Sequence, residues 1–234
     1  MHESAFGRLV SVLIAPGKTF RSIAERPTWD VALIVLLVLT VGTTLLFFQK
    51  LDFEELVRQQ MAEQGRELPP EAAGSMGMMR GCAMGAALGF PVLFYFGVPL
   101  LFWGAFTLLG GTINYKTSLA VALHAMMPAA VGALLSIPVL LGRAEIGIEE
   151  AQAGSVLASN LAHFAPDGAS PVVIALLASV DVFTIWMVVL LILGYHVAAK
   201  VSKAKAAATV LGLWLVAILL KVGMAALQGM GGGA

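Results

Sequence analysis

Hydrophobic positions along this chain fall into two kinds of run. Two short helical stripes lie near the amino terminus, and five long stretches follow with few polar interruptions. Phe6, Leu9, Val10, Leu13 and Ile14 recur at i, i+3, i+4, i+7 and i+8, one face of a helix, with Arg8 and Ser11 on the other. Pro16-Gly17 breaks this helix, and a second, Lys18 to Arg26, sets Phe20 and Ile23 against Lys18, Arg21 and Arg26. Neither piece is long enough to span a bilayer. Both have the pattern of a helix lying in the headgroup plane on anionic lipid, with Arg8, Lys18, Arg21 and Arg26 as its membrane-surface contacts. Docking onto a partner protein is the rival reading, and the lipid surface is favoured.

The long runs predict transmembrane helices over about 29–48, 81–109, 118–141, 171–198 and 206–227. Residues 1–27 then form an amphipathic interfacial region, 28–228 a five-span membrane domain and 229–234 a flexible tail. Thr28 can cap the first span, with Trp29 and Asp30 at the interface. Beyond it Phe53, Leu56, Val57 and Met61 share a face, so the first helix is expected to continue past the membrane until Leu68-Pro69-Pro70 stops it. Gly77, Gly81, Gly85 and Gly89 recur every four residues into the second span, a smooth stripe suited to close helix packing within the chain or between two copies. Pro91 and Pro99 are expected to kink that span, and Pro128 and Pro138 lie in the third. The fold class expected is all-α, a polytopic helical membrane protein.

Composition agrees: 59% of the 234 residues are hydrophobic and only 12% charged, more apolar than a soluble core of this size needs. No cleavable signal peptide is expected, because the apolar run Leu9 to Ile14 is too short. Net charge is zero, yet its distribution carries orientation. Arg8, Lys18, Arg21 and Arg26 precede the first span, and Lys116 lies in the short turn after the second. Lys200, Lys203 and Lys205 follow the fourth. The two long loops are net acidic: four basic against six acidic residues over 49–80, and one against four over 142–170. This pattern puts the amino terminus in the cytoplasm and the carboxyl terminus across the membrane. Cys82 is the only cysteine, which excludes an intrachain disulfide and a thiolate metal site.

Asp181 is the first candidate for chemistry. Ten residues into the fourth run, it is expected roughly 15 Å deep, where an unpaired carboxylate costs several kcal/mol. Tyr95 is expected at a similar depth, Lys221 outward of it and His124 inward. An interhelical lock is favoured over a proton or cation relay, since a transport path normally has several ionisable groups at one level. Trp186, Tyr195 and Trp214 read as packing or interface anchors. His2, His124, His163 and His196 are dispersed, so no metal is expected, and no protease, phosphate-loop or hydrolase motif occurs. No catalytic residue is therefore assigned.

Three stretches carry a resemblance: LIAPGKTFRSIAERPTW (Leu13 to Trp29), GGTINYKTSLAVALHAMMPAAVGALL (Gly110 to Leu135) and DVFTIWMVVLLILGYHVAAKVSKAKA (Asp181 to Ala206). In the first, Pro16, Phe20, Ile23, Pro27 and Trp29 stand in a P-x-x-x-F-x-x-I-x-x-x-P-x-W pattern. In the last, Asp181, Phe183, Trp186 and Gly194 precede Ser202-Lys203-Ala204. The chain resembles the Yip domain family, proteins named for interaction with Ypt/Rab GTPases, in its bacterial branch. The resemblance implies five spans, a cytoplasmic amino terminus and residence in the bacterial inner membrane. Eukaryotic members bind Rab proteins through a long amino-terminal region. Here only some 28 residues precede the first span, so GTPase binding is doubtful.

The function expected is a non-enzymatic membrane protein that organises lipid or protein partners. Its partners would be the bilayer, a second copy or another membrane protein, with no nucleic acid and no cofactor. The alternative is a small transporter or channel using Asp181.

Overall fold

The computed structural model describes residues 4–63, 65–67, 69, 74–147, 156–166 and 168–230. Among these the chain is helical, with two isolated backbone bridges and no strand. In order the helices are α1 (Ala5–Ile14), α2 (Pro16–Glu25), α3 (Asp30–Lys50), α4 (Phe53–Glu63), α5 (Met76–Leu108), α6 (Tyr115–Ala125) and α7 (Met127–Gly142). A 3-10 turn (Leu161–Phe164) precedes α8 (Pro171–Leu177), α9 (Val182–Ala198) and α10 (Lys203–Met230). Four stretches are long and apolar enough to cross a membrane: Asp30–Lys50, Met76–Leu108, Tyr115–Gly142 and Lys203–Leu227. Their outward faces carry Ile34, Val38, Leu93, Leu101, Leu219 and Leu220 unburied, an arrangement stable only in hydrocarbon. The protein is an all-α, polytopic membrane protein.

Contacts divide the chain into two compact units. The first comprises residues 1–41, 90–134 and 183–215. Its centre is α6, buried at every residue from Thr117 to Ala125, a stretch whose small and apolar side chains allow neighbours on every side. Tyr195 of α9 is fully buried there, its ring 4.7 Å from Phe106 and 4.8 Å from Phe102. Ser118 Oγ donates to the Pro99 carbonyl (2.7 Å) and shares a second hydrogen bond with Tyr195 Oη (2.7 Å). Tyr115 Oη donates to the Phe96 carbonyl (3.0 Å). Side chains from α6 thus bond the α5 backbone around Pro99, and α5 runs through both of its prolines as one helix. Gly194 lets α9 approach most closely: a Cβ there would lie 2.7 Å from Val121 Cγ1 and 2.9 Å from the Phe20 ring. At the turn after α5, the Thr112 N–H donates to the Ala199 carbonyl (3.0 Å) and Lys205 Nζ to the Leu109 carbonyl (3.0 Å).

The second unit comprises residues 42–89, 135–182 and 216–234. Here α3 stops at Lys50 rather than continuing outward. Leu51 is buried and pairs with Ile146, and Asp52 Oδ1 accepts from the Glu55 N–H (3.0 Å), starting α4 as a new helix. The expected stop at Leu68-Pro69-Pro70 falls mostly outside the described residues, as do Glu149, Glu150, Asp167 and the tail from 231.

Two predicted spans differ in detail. The third is divided at Met126, where the ring of Pro128 and its missing N–H interrupt the ladder between α6 and α7. Over 171–198 the helix is not continuous: α8 ends at Leu177 and α9 begins at Val182. A 17-residue helix such as α9 reaches only about 25 Å against a hydrocarbon layer of about 30 Å.

Candidate functional site

The amino-terminal helices form a hairpin. Ser4 Oγ caps α1 by accepting from the Gly7 N–H (3.0 Å), and Pro16 occupies the first turn of α2, where its missing N–H costs nothing. The two helices pack on each other, and both touch α6. From α2, Thr19, Phe20 and Ile23 are fully buried, while Lys18, Arg21 and Arg26 stand exposed.

α1 departs from the expected face. Its buried residues are Arg8, Leu9 and Val12, so the apolar positions divide between two sides. Leu9 and Val12 enter the core, and Phe6, Val10 and Ile14 form an outward ridge at i, i+4 and i+8, exposed by 67%, 55% and 78%. Arg8 is therefore not a membrane-surface contact, which corrects the pattern-based assignment. Its Nη1 donates to the Arg26 carbonyl (2.8 Å) and to Thr28 Oγ1 (3.0 Å). A guanidinium at the carboxyl end of α2 satisfies a carbonyl that the helix leaves without a partner. The charge thus binds α1 to α2 and to the start of the membrane domain. What remains outward is an apolar ridge on α1, with Lys18, Arg21 and Arg26 exposed on or just after α2.

The intramembrane polar candidates have separate partners. Asp181 lies in the interruption between α8 and α9, half-buried, and its Oδ2 accepts from Ser159 Oγ (2.5 Å). Around it the backbone pairs locally: the Leu161 N–H donates to the Val180 carbonyl (3.1 Å) and the Val182 N–H to the Ser159 carbonyl (3.0 Å). The carboxylate thus binds the loop at 159–161. Tyr95 Oη is hydrogen-bonded to Thr40 Oγ1 (2.7 Å), joining α5 to α3. His124 is buried in α6 with Nδ1 2.8 Å from the Ala120 carbonyl, a bond within its own helix. Lys221 is exposed on α10. Among the described residues, no group of three His, Cys, Asp or Glu side chains could hold a metal ion.

The glycine stripe faces open space. At Gly77, Gly81, Gly85 and Gly89 a Cβ would meet nothing within 4 Å among the described residues. Among the described residues, no neighbouring helix comes within 4 Å of a Cβ placed on the stripe. The close approach that sequence reasoning sought there occurs instead at Gly194. That residue stood in the resemblance pattern, but an isolated glycine gives no sign of which helix meets it. Ser159 was equally invisible: it lies in a polar loop 22 residues before its partner, and no periodicity links the two.

Comparison with known proteins agrees with the architecture. The Yip1 domain profile matches residues 10–224. Membrane protein YknW of Bacillus subtilis (strain 168) is 29% identical over 216 residues, covering 91% of this chain and 84% of the relative. No solved structure matches.

Proposed function

The chain belongs to the Yip1 domain family of membrane proteins, and from that premise we propose that it is a non-enzymatic organiser of lipid or protein partners at the membrane surface. The observation that carries this reading is the ridge of Phe6, Val10 and Ile14, left outward while the opposite side of α1 is docked. In water such a ridge is costly, since burying each large apolar side chain is worth about 1.5–3 kcal/mol. Laid into the acyl boundary it becomes an anchor, with Lys18, Arg21 and Arg26 at headgroup level. The positive charge around α2, Lys116 and Lys200 supports a cytoplasmic amino terminus in a bacterial inner membrane. We read 171–198 as a fifth span interrupted at Asp181, which places the carboxyl terminus on the other side.

The test uses full-length protein carrying Cys82→Ser in vesicles of phosphatidylethanolamine and phosphatidylglycerol. A fluorophore is attached at Val10→Cys or Lys18→Cys. The Val10 label is expected to be shielded from aqueous iodide and quenched by lipid-borne nitroxide, and the Lys18 label should show the reverse. Equal iodide quenching at both positions would overturn the proposal.

The interruption at Asp181 favours a second reading, a small transporter or channel, because unwound backbone beside a carboxylate is how some transporters hold an ion. Gradient-driven proton flux into proteoliposomes that is lost in Asp181→Asn would establish it over the first.

A further inference from the structure

Within the second unit, a cavity of about 500 Å³ lies where the end of α3, the start of α4, the start of α5 and the segment after α7 meet. Its lining includes Lys50, Arg80, Asp52, Glu54, Glu145 and Gly77. Three of its walls are tied together. The Ile146 N–H donates to the Lys50 carbonyl (2.9 Å), and Arg80 Nη2 donates to the Phe48 carbonyl (2.6 Å). A guanidinium has five N–H donors, so this anchoring bond leaves Arg80 able to bind an anion as well.

We propose that this cavity binds the headgroup of a zwitterionic aminophospholipid, of phosphatidylethanolamine chemistry. Both signs of charge line it: Lys50 and Arg80 suit a phosphate, and Glu145 with Asp52 suits an ammonium group. A lone phosphate would meet three carboxylates in the same space and is disfavoured. The volume falls in the range usual for small-ligand sites. The cavity also stands at the end of two membrane-crossing helices, where headgroups reside. Gly77 belongs to its lining, and from Gly77 the open face of α5 continues through Gly81, Gly85 and Gly89. The twelve helical steps from Gly77 to Gly89 cover about 18 Å, close to the roughly 15 Å depth of one hydrocarbon leaflet. Along those four glycines a Cβ would meet nothing within 4 Å among the described residues, which leaves room beside α5 for an acyl chain descending from a seated headgroup.

The experiment is native mass spectrometry of the full chain in detergent, titrated separately with phosphatidylethanolamine, phosphatidylglycerol and inorganic phosphate. One phosphatidylethanolamine per chain is expected, bound at least tenfold tighter than phosphatidylglycerol. Arg80→Gln should weaken it at least tenfold, and Glu145→Gln should abolish the preference between the two lipids. If Arg80→Gln melts below wild type by circular dichroism, Lys50→Gln carries the same expectation. Equal binding of the two lipids by wild type, displacement by inorganic phosphate, or an unchanged affinity in the folded cation variant would each overturn the site.

Discussion

Replacing Gly194 by alanine tests the packing that holds the amino-terminal hairpin on the membrane domain. The new methyl would stand 2.7 Å from Val121 Cγ1 and 2.9 and 3.0 Å from two carbons of the Phe20 ring. Contacts this short force a shift. Val121 lies in the buried helix α6 and Phe20 is fully enclosed, so neither yields easily. Overpacking of this kind costs about 1–3 kcal/mol. Alanine recovers up to about 1 kcal/mol in helix propensity, which leaves a net loss of about 1 kcal/mol. For a chain of this length that is roughly 2–4 °C in Tm. Gly194→Val should lose more, and Val121→Ala should recover part of the Gly194→Ala loss, since the two residues touch. Gly85→Ala is the control of opposite sign: its Cβ enters open space and should leave the protein as stable or slightly more so. Thermal unfolding of the four variants in one detergent, followed by circular dichroism, reads all of this. A Gly194→Ala protein that melts at or above wild type would refute the close-approach argument.

Arg8→Met keeps an unbranched apolar stem but removes the donor to the Arg26 carbonyl and Thr28, and should destabilise by about 1–3 kcal/mol. Limited proteolysis of the 1–28 segment in detergent is expected to accelerate, and an unchanged digestion rate would show that the bond does not hold the hairpin. Tyr195→Phe preserves the stack on Phe106 while deleting the hydroxyl that Ser118 shares. Because Ser118 keeps the Pro99 carbonyl, the expected loss is only about 0.5–1.5 kcal/mol in chemical unfolding. Asp181→Leu removes the acceptor for Ser159 and should cost about 1–3 kcal/mol, whereas Asp181→Asn, retaining one oxygen, should stay nearer wild type in the same melts.

The four long helices were legible because the condition for crossing a membrane is local. A run of apolar residues must be long enough, and its backbone must bond within itself, so composition along one segment decides the matter. Pro16, Pro27 and Thr28 marked the limits of the amino-terminal hairpin for the same reason. Faces were harder. A helical repeat shows which residues share a side but not which side meets the protein, and α1 has apolar residues on both. Arg8 reads as surface charge until Arg26 and Thr28 are known to lie beside it. The stripe of four glycines suggested contact, yet a Cβ there meets none within 4 Å among the described residues, while at the solitary Gly194 a Cβ would stand only 2.7 Å from Val121 Cγ1.

From its sequence alone, then, this protein is a helical membrane protein with a basic, amphipathic beginning, because burial in hydrocarbon acts on each segment independently. Tertiary structure alone decided that Asp181 binds a loop, that Arg8 joins two helices and that α1 keeps a free apolar ridge. Each of those depends on atoms far apart in the chain, which only the packed fold brings within a hydrogen bond or a van der Waals radius of each other.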